Sequence, residues 1–277
     1  MQQTWNIELV NLRVGYGDTV VLDNINATLP AGKISVILGG SGGGKTTLLR
    51  HIIGLSRPMA GKILLGGKNL FALSSKEFRA ARRRMGVLFQ DGALIGSLTV
   101  GQNVALPLTE HTKLPKDIIQ EIVLHKLSLV GLGDNANYYP SELSGGMRKR
   151  AGLARALVTD PPILLCDEPT SGLDPISAAQ MDELLLDMKR RFPEMTIVSV
   201  THDMASVKNI ADHVLVLRSG GIGYAGDLAG LQNSKDPYLR RFMDRTPSLE
   251  EGQEDPRRIL SDKTRRRMHE ALGTWSE

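Results

Sequence analysis

The stretch that decides the fold is Ile34-Ser35-Val36-Ile37-Leu38 followed by Gly39-Gly40-Ser41-Gly42-Gly43-Gly44-Lys45-Thr46. The first part is an apolar run typical of a buried strand, and the second part matches the pattern G-x-x-x-x-G-K-[ST]. Residues 46–55 then carry apolar side chains at spacings that suit a helix. A strand, a glycine-rich loop and a helix in this order predict a phosphate-binding loop (residues 39–46, the phosphate loop).

The residue types of the phosphate loop suit a nucleotide. Glycines allow the backbone to bend so that successive N–H groups point at phosphates, and the helix that follows adds its positive N-terminal end. Lys45 supplies a full charge to the β- and γ-phosphates, and Thr46 supplies a hydroxyl to Mg²⁺. We therefore expect ATP and Mg²⁺ to bind here, and the predicted ATP-binding residues of this region are Gly39, Gly40, Ser41, Gly42, Gly43, Gly44, Lys45, Thr46 and Thr47.

Two carboxylates follow a second apolar run, residues 163–166, at the end of a predicted strand where ligands of open α/β sheets bind. Asp167 is predicted to hold Mg²⁺ through its water shell, and Glu168 to orient and partly deprotonate the water that attacks the γ-phosphate. His202 follows the next predicted strand, 196–200, and should reach the same edge of the sheet. The predicted catalytic residues are Glu168, His202 and Lys45. A strand end that meets solvent, and a histidine with a structural hydrogen bond, are the alternatives.

A second anion-binding helix terminus is predicted at Leu143-Ser144-Gly145-Gly146-Met147 (the signature segment), where a serine and two glycines open a helix over 146–158. One nucleotide does not need two such termini. If a second copy of the chain docks head to tail, Ser144, Gly145, Gly146 and Met147 of each copy can face the phosphates held by the other. An ATP-dependent dimer follows as a hypothesis, with a plain helix N-cap as the alternative.

The remaining patterns outline the fold class, which is α/β. Alternating strands and helices over 146–200 predict a parallel sheet flanked by helices, whereas short strand patterns at 8–14, 19–22 and 61–65 predict an antiparallel sheet. Residues 91–139 have a mainly helical pattern, and 213–225 predict a closing hairpin. Polar and charged residues prevail near the end of the chain, which indicates an appended tail.

Composition narrows the range of functions that the chain could have. The chain has 277 residues, 41% of them hydrophobic, which suffices for one large core without disulfides or metal. No apolar stretch approaches the roughly 18 residues of a membrane-spanning helix, and no basic segment with an apolar run opens the chain, so we expect a cytosolic location. Cys166 lies in a predicted buried strand, which argues against a thiol nucleophile. The net charge is +4, and the basic residues form scattered clusters such as Arg148-Lys149-Arg150, which we interpret as solvated helix faces. Because only 4% of the residues are aromatic, we expect no nucleic-acid partner.

In content and order these motifs resemble the ABC (ATP-binding cassette) ATPase family over residues 7–230. The resemblance implies a P-loop NTPase with a RecA-like parallel-sheet core, an antiparallel β subdomain and a helical subdomain at about 91–150. It implies that Tyr16 stacks on adenine, that Gln90 senses the γ-phosphate and Mg²⁺, and that a loop between the subunits communicates across the dimer. That communication loop comprises Ser171, Gly172, Leu173 and Asp174, and the implied Mg²⁺ residues are Thr46, Gln90 and, through water, Asp167. Met147 departs from the glutamine most common at its position.

Within the family, residues 89–94, 103–108, 140–142 and 236–242 resemble the ATPase subunit of Mla-type, MCE-associated phospholipid transporters. This resemblance implies an ATP hydrolase at the cytoplasmic face of the inner membrane that powers phospholipid transport between inner and outer membranes. The implied partners are a second copy of the chain, membrane permease subunits and an MCE-domain lipid-binding protein. Residues 1–235 would form the ATP-binding domain and 236–277 a C-terminal extension. In the resembling ATPases a C-terminal extension reaches the partner ATPase, and residues 256–272 have the helical character to do the same. A disordered tail is the alternative.

Rival functions remain. Another ABC transporter, importing or exporting small solutes, would share every motif. A nucleic-acid-processing ABC ATPase would carry a long coiled coil or zinc modules, and a soluble translation factor would carry two cassettes, whereas this sequence has one phosphate loop and one signature segment. A regulatory module that binds ATP without turnover is disfavoured by the presence of both Glu168 and His202.

Overall fold

The computed structural model describes residues 4–40 and 42–243, together with residues 264 and 267. The helices and strands in chain order are β1 (Ile7–Tyr16), β2 (Thr19–Leu29), β3 (Ile34–Gly39), α1 (Lys45–Ile52), β4 (Ala60–Leu65), β5 (Lys68–Asn69), α2 (Ser75–Arg82), β6 (Met85–Leu88), α3 (Val100–His111), α4 (Lys116–Leu129), α5 (Gly145–Leu157), β7 (Ile163–Asp167), α6 (Pro175–Arg191), β8 (Thr196–Thr201), α7 (Met204–Ile210), β9 (His213–Arg218), β10 (Gly221–Gly226), α8 (Leu228–Gln232) and α9 (Pro237–Met243).

A six-stranded sheet in the order β10-β9-β3-β8-β7-β6 forms the centre of the first unit of the chain. All its strand pairs are parallel except β9 with the edge strand β10. Every residue of β3, β7 and β8 is buried, as expected when helices cover both faces of a parallel sheet. Leu38 pairs with Thr201 and Asp167 with Val200, so the carboxyl ends of these strands meet at one edge.

A four-stranded antiparallel sheet, β2-β1-β4-β5, packs beside this centre. The inner face of β1 and β2 joins the same hydrophobic core as α1, with residues such as Leu12, Leu22 and Ile52 fully buried. This packing places β2 directly against the start of α1, which carries the phosphate loop. The predicted α/β fold, with a parallel core and an antiparallel sheet, is confirmed.

Two helices, α3 and α4, occupy most of the segment with the predicted helical pattern. Thr99 and Gln102 form a capping box at the start of α3, and the side chain of the fully buried Asn103 donates to the carbonyls of Ile95, Leu98 and Thr99. These bonds stabilise the irregular connection from β6 into α3. The segment that joins the phosphate edge of the sheet to the helices is therefore well fixed.

Two predictions about local structure differ from the structure, and one strand was not predicted. The helix predicted over 46–55 ends at Ile52, because Gly54 adopts a φ of 77° and the N–H groups of Gly54 and Leu55 bond back to His51 and Arg50. The strand β6 had no counterpart in the predictions, since it is only four residues long and contains Gly86. The interpretation of the basic cluster at 148–150 as a solvated helix face is wrong, because Lys149 is buried.

Residues 234–277 form a second compact unit. Within it, α9 begins after Asp236, whose Oδ1 accepts from the N–H groups of Tyr238 and Leu239 at 2.8 and 3.2 Å. The helical character predicted for 256–272 lies outside the described residues apart from Thr264 and Arg267, which are helical. Among the residues that the structure describes, none of the helices combines the length and apolar character needed to span a membrane.

Candidate functional site

The phosphate loop joins β3 to α1 and keeps its backbone open to a ligand. Gly42 and Gly44 have φ values of 74° and 86°, a region that other residues rarely adopt, and Gly43 N donates to Gly40 O at 3.1 Å. Gly44 is the N-cap residue of α1 and offers no side chain to the first N–H groups of the helix. These N–H groups are therefore available to an anion. Ser41 lies outside the described residues.

Lys45 points its ammonium back into the phosphate loop. Its Nζ donates to the carbonyl oxygens of Gly39 and Gly40, both at 3.0 Å, and the residue is buried. Burial lowers the pKa of Lys45, and the charges of Glu168 and Asp167 oppose that change. A buried cation of this kind is favourable beside the phosphates of a nucleotide.

Thr46 and Asp167 bring a hydroxyl and a carboxylate together. Thr46 Oγ1 donates to Asp167 Oδ1 at 3.1 Å, and burial raises the pKa of Asp167 while this bond lowers it. Oxygen ligands of this type suit Mg²⁺. This ion usually keeps several waters and is bound by one or two protein groups together with substrate phosphates. In the described part of the chain no cluster of three or more His, Cys, Asp or Glu side chains could hold a metal. The pair fits Mg²⁺ held jointly with a phosphate.

Glu168 occupies a strained position directly after β7. Its φ is 50°, which costs about 1–3 kcal/mol for a residue other than glycine. Its N–H donates to Val200 O at 2.9 Å, and His202 Nδ1 lies 2.9 Å from Glu168 Oε2. The Glu168 side chain is 11% exposed and that of His202 58% exposed. The Glu168 carboxylate is thus largely buried at the edge of the sheet, and its hydrogen-bonding partner His202 is exposed to solvent.

Tyr16 and Gln90 both lie near this edge. The hydroxyl groups of Tyr16 and Thr47 are hydrogen-bonded at 2.8 Å, and half of Tyr16 is exposed, so its ring lies beside the first turn of α1. Gln90 is exposed and follows β6, whose Leu88 pairs with Cys166 just before Asp167. Their predicted contacts with adenine and Mg²⁺ stay predictions.

The signature segment and the communication loop of the same chain lie close together in space. Ser144 Oγ accepts from Met147 N at 3.2 Å and caps α5, and a Cβ on Gly146 would lie 3.8 Å from Leu173 Cδ2. Asp174 Oδ1 accepts from Ile176 N and Ser177 N and caps α6. Hydrogen bonds from the side chain and the backbone of Ser177 lower the pKa of Asp174. Ser144 has the N-cap role that was the plain alternative for the signature segment, and its predicted role toward a second copy stays a prediction.

Sequence reasoning missed two sets of buried polar residues behind the site. Lys149 Nζ donates to the carbonyl oxygens of Glu168 and Ser171. Ser206 Oγ donates to the buried Asp182 at 2.6 Å and lies 3.5 Å from Thr170 Oγ1. The partners are far apart in sequence, and a basic run or a helical aspartate carries no local signal of burial.

Comparison with known proteins places this site in a family. A sequence model of the family described as "ABC transporter" matches residues 22–171. The chain is 44% identical over 238 residues to the probable ribonucleotide transport ATP-binding protein mkl of Mycobacterium tuberculosis, covering 86% of this chain and 66% of that protein. It is also 44% identical over 228 residues to the intermembrane phospholipid transport system ATP-binding protein MlaF of Escherichia coli, covering 82% of this chain and 84% of MlaF.

A solved structure agrees with the sequence relatives. The dimeric post-hydrolysis state of the ATP-binding cassette MJ0796, bound to ADP and Pi, superposes with a TM-score of 0.73 at 30% identity, covering 80% of this chain and 98% of that one. The chain spans slightly less than two thirds of the length of the Mycobacterium tuberculosis relative but most of MlaF and of the cassette structure. Both the predicted family and the predicted fold are confirmed: the chain belongs to the ATP-binding proteins of the ABC transporter family.

Proposed function

We propose that the chain is the ATP-hydrolysing subunit of an ABC transporter that moves phospholipid between two membranes. The observation that carries the hydrolytic part is the Glu168 carboxylate, held 2.9 Å from His202 beside the strand end that carries Asp167. A carboxylate fixed at such an edge can act on water next to a bound phosphate.

The residues of the site divide the work of phosphoryl transfer to water. The N–H groups of the phosphate loop and the Lys45 ammonium bind the phosphates. Thr46 and Asp167 would hold Mg²⁺, which would supply positive charge to neutralise the phosphates. Glu168 orients the attacking water and accepts its proton, and His202 steadies the carboxylate. Because the reaction depends mainly on positioning and charge, loss of Lys45 or Glu168 should stop turnover while the fold remains.

Phospholipid is the proposed cargo because the match to MlaF extends over 84% of that protein, compared with 66% of the relative named for ribonucleotide transport. We infer that this chain acts on the cytoplasmic face of an inner membrane, with permease subunits and an MCE-domain lipid-binding protein as partners. Transport of another solute through another permease is the second candidate, favoured by the equal identity to mkl.

A groove beside Gln90 is suited to the permease. It has a volume of about 480 Å³ and combines the cationic side chains of Arg79, Arg82 and Arg83 with the apolar Phe89 and Pro107. A permease segment with acidic and apolar residues would complement this lining. Phe89 lines the groove and directly precedes Gln90. Movement of the bound permease segment would therefore be transmitted through Phe89 and Gln90 to the phosphate edge of the sheet.

Dimerisation of the chain is supported by the dimeric form of the related cassette. In the proposed dimer the Ser144 helix of each copy faces the phosphate loop of the other. A Ser144→Arg substitution should prevent ATP-driven association without unfolding the chain, because Ser144 is exposed. Light-scattering mass with and without ATP measures this, and an unchanged dimer in the variant would contradict the arrangement.

Two experiments test the proposal. Phosphate release by the purified chain, with Lys45→Met as control, tests hydrolysis; equal release by both proteins would contradict it. Co-expression with chromosomal neighbours, followed by detergent extraction and mass spectrometry, tests the cargo. A permease with an MCE-domain protein and phospholipid supports lipid transport, whereas a different permease removes the lipid proposal and leaves hydrolysis standing.

A further inference from the structure

Lys149 is a buried lysine on α5 whose ammonium contacts the loop that carries Glu168. Only 4% of the residue is exposed. Its Nζ donates to the Glu168 carbonyl oxygen at 3.1 Å and to the Ser171 carbonyl oxygen at 2.5 Å. Burial lowers the pKa of Lys149, and the charges of Asp91 and Glu168 oppose that change. An ammonium is seldom buried unless it is hydrogen-bonded, and here two of its three N–H groups donate to backbone carbonyls.

The backbone that Lys149 contacts is the strained one. The left-handed conformation of Glu168 persists only if its surroundings fix it. Strand β8 fixes the N–H of Glu168 through Val200. The carbonyl oxygen accepts from Ser171 N at 3.2 Å as well as from Lys149. Both backbone groups that flank the Glu168 Cα are therefore held by hydrogen bonds.

Lys149 also connects two parts of the proposed reaction. It lies on the helix that Ser144 caps, about 7.5 Å along the axis from that residue at 1.5 Å per residue. Its other partner, Ser171, begins the communication loop. One side chain therefore joins the helix proposed to meet ATP on the second copy to the backbone of the proposed catalytic base.

We propose that Lys149 is a positioning residue for ATP hydrolysis, which holds the Glu168 backbone in its reactive geometry and ties that geometry to the position of α5. This inference rests on the proposed hydrolytic function. It separates Lys149 from residues that bind ATP, because both of its hydrogen bonds go to the loop after β7 rather than to the phosphate loop. Turnover should therefore depend on Lys149 more strongly than ATP affinity does.

The chain provides a matched control. Lys126 on α4 is also 4% exposed, and its Nζ donates to Asp160 at 2.5 Å, a residue outside the proposed catalytic machinery. Lys149→Met and Lys126→Met both remove a buried ammonium and keep an unbranched apolar side chain. Lys149→Arg retains a cation and donors in place of Lys149. A role limited to stability should affect the two methionine variants alike.

The experiment measures kcat and KM for ATP hydrolysis by the full chain, together with urea unfolding of each variant. We expect Lys149→Met to lower kcat by about 10- to 100-fold, the range for loss of a hydrogen bond to a charged group, with KM changed less than about threefold. Lys149→Arg should restore part of kcat, and Lys126→Met should leave kcat unchanged. If Lys149→Met yields no folded protein, the shorter, uncharged Lys149→Gln takes its place with the same expectation.

Three outcomes overturn the inference. In the first, Lys149→Met keeps the wild-type kcat. In the second, Lys126→Met loses as much activity as Lys149→Met. In the third, the loss is entirely in KM. Absence of hydrolysis in the wild-type chain would refute the proposed function and the inference with it. If the wild type hydrolyses ATP and Lys149→Met keeps the wild-type kcat, the role of Lys149 alone is refuted.

Discussion

Alanine at Gly44 should damage the phosphate loop much more than alanine at Gly42. Both glycines have positive φ values, 74° at Gly42 and 86° at Gly44. A Cβ on Gly44 would lie 2.9 Å from Leu22 Cγ and 2.9 Å from Val21 Cγ1, whereas a Cβ on Gly42 would meet no described atom within 4 Å. Leu22 is fully buried and cannot turn into solvent. The two substitutions share a backbone effect and differ in packing.

The magnitudes follow from these two terms. A left-handed conformation costs a residue other than glycine about 1–2 kcal/mol, and the reduced freedom of the unfolded chain returns about 0.4–1 kcal/mol. Gly42→Ala should therefore lower the free energy of unfolding by about 1 kcal/mol. Gly44→Ala adds an overpacking term of about 1–3 kcal/mol, so its total loss should be about 2–4 kcal/mol.

Urea unfolding of the wild type and both variants measures the free energies, and titration with a fluorescent ATP analogue measures binding. Relief of the Gly44 clash moves α1 away from β2 and displaces the N–H groups that face the phosphates. Gly44→Ala should therefore bind the analogue more weakly than Gly42→Ala. Equal stability and equal affinity of the two variants would refute the close packing of Gly44 against Leu22 and Val21.

Two further predictions concern the interior. Asp182 has a pKa raised by burial, so the stability it contributes is present below its unfolded pKa of about 3.9 and is lost as pH rises through the higher folded pKa. The stability of Asp182→Asn relative to wild type should therefore rise between pH 4 and pH 8 in urea unfolding, and a constant difference would contradict this. Alanine at Gly86 would place Cβ 2.2 Å from Ala156 O, so α5 must move off β6, at about 1–3 kcal/mol or more. Gly96→Ala, where no described atom lies within 4 Å, is the control, and equal thermal stability of the two would refute the contact.

Local patterns predicted the parts of the site that are formed by adjacent residues. Ile34–Gly39 with the phosphate loop could be predicted because an apolar strand, a glycine-rich loop and a helix follow one another directly. The shared edge of β3, β7 and β8 placed Asp167, Glu168 and His202 together, since parallel strands end on the same side. The Glu168–His202 contact agrees with that placement.

The remainder depends on contacts between distant parts of the chain. Lys149 is 19 residues from Glu168 in sequence, and its neighbours Arg148 and Arg150 give the run the appearance of a solvated face. Gly54 ends α1 where a Cβ would lie 2.9 Å from Phe78 Cζ, a restriction imposed by a residue in α2. The positive φ of Glu168 arises from the bonds around it, and no propensity of glutamate indicates it.

The most direct test of the proposed hydrolytic function is steady-state phosphate release by Glu168→Gln at saturating ATP and Mg²⁺, measured beside the wild type. The amide keeps the size of the side chain and cannot accept the proton of the attacking water. We expect release to fall by about 10²- to 10⁴-fold, with ATP binding and the urea midpoint retained. Release at the wild-type rate would contradict the assignment of Glu168 as the catalytic base.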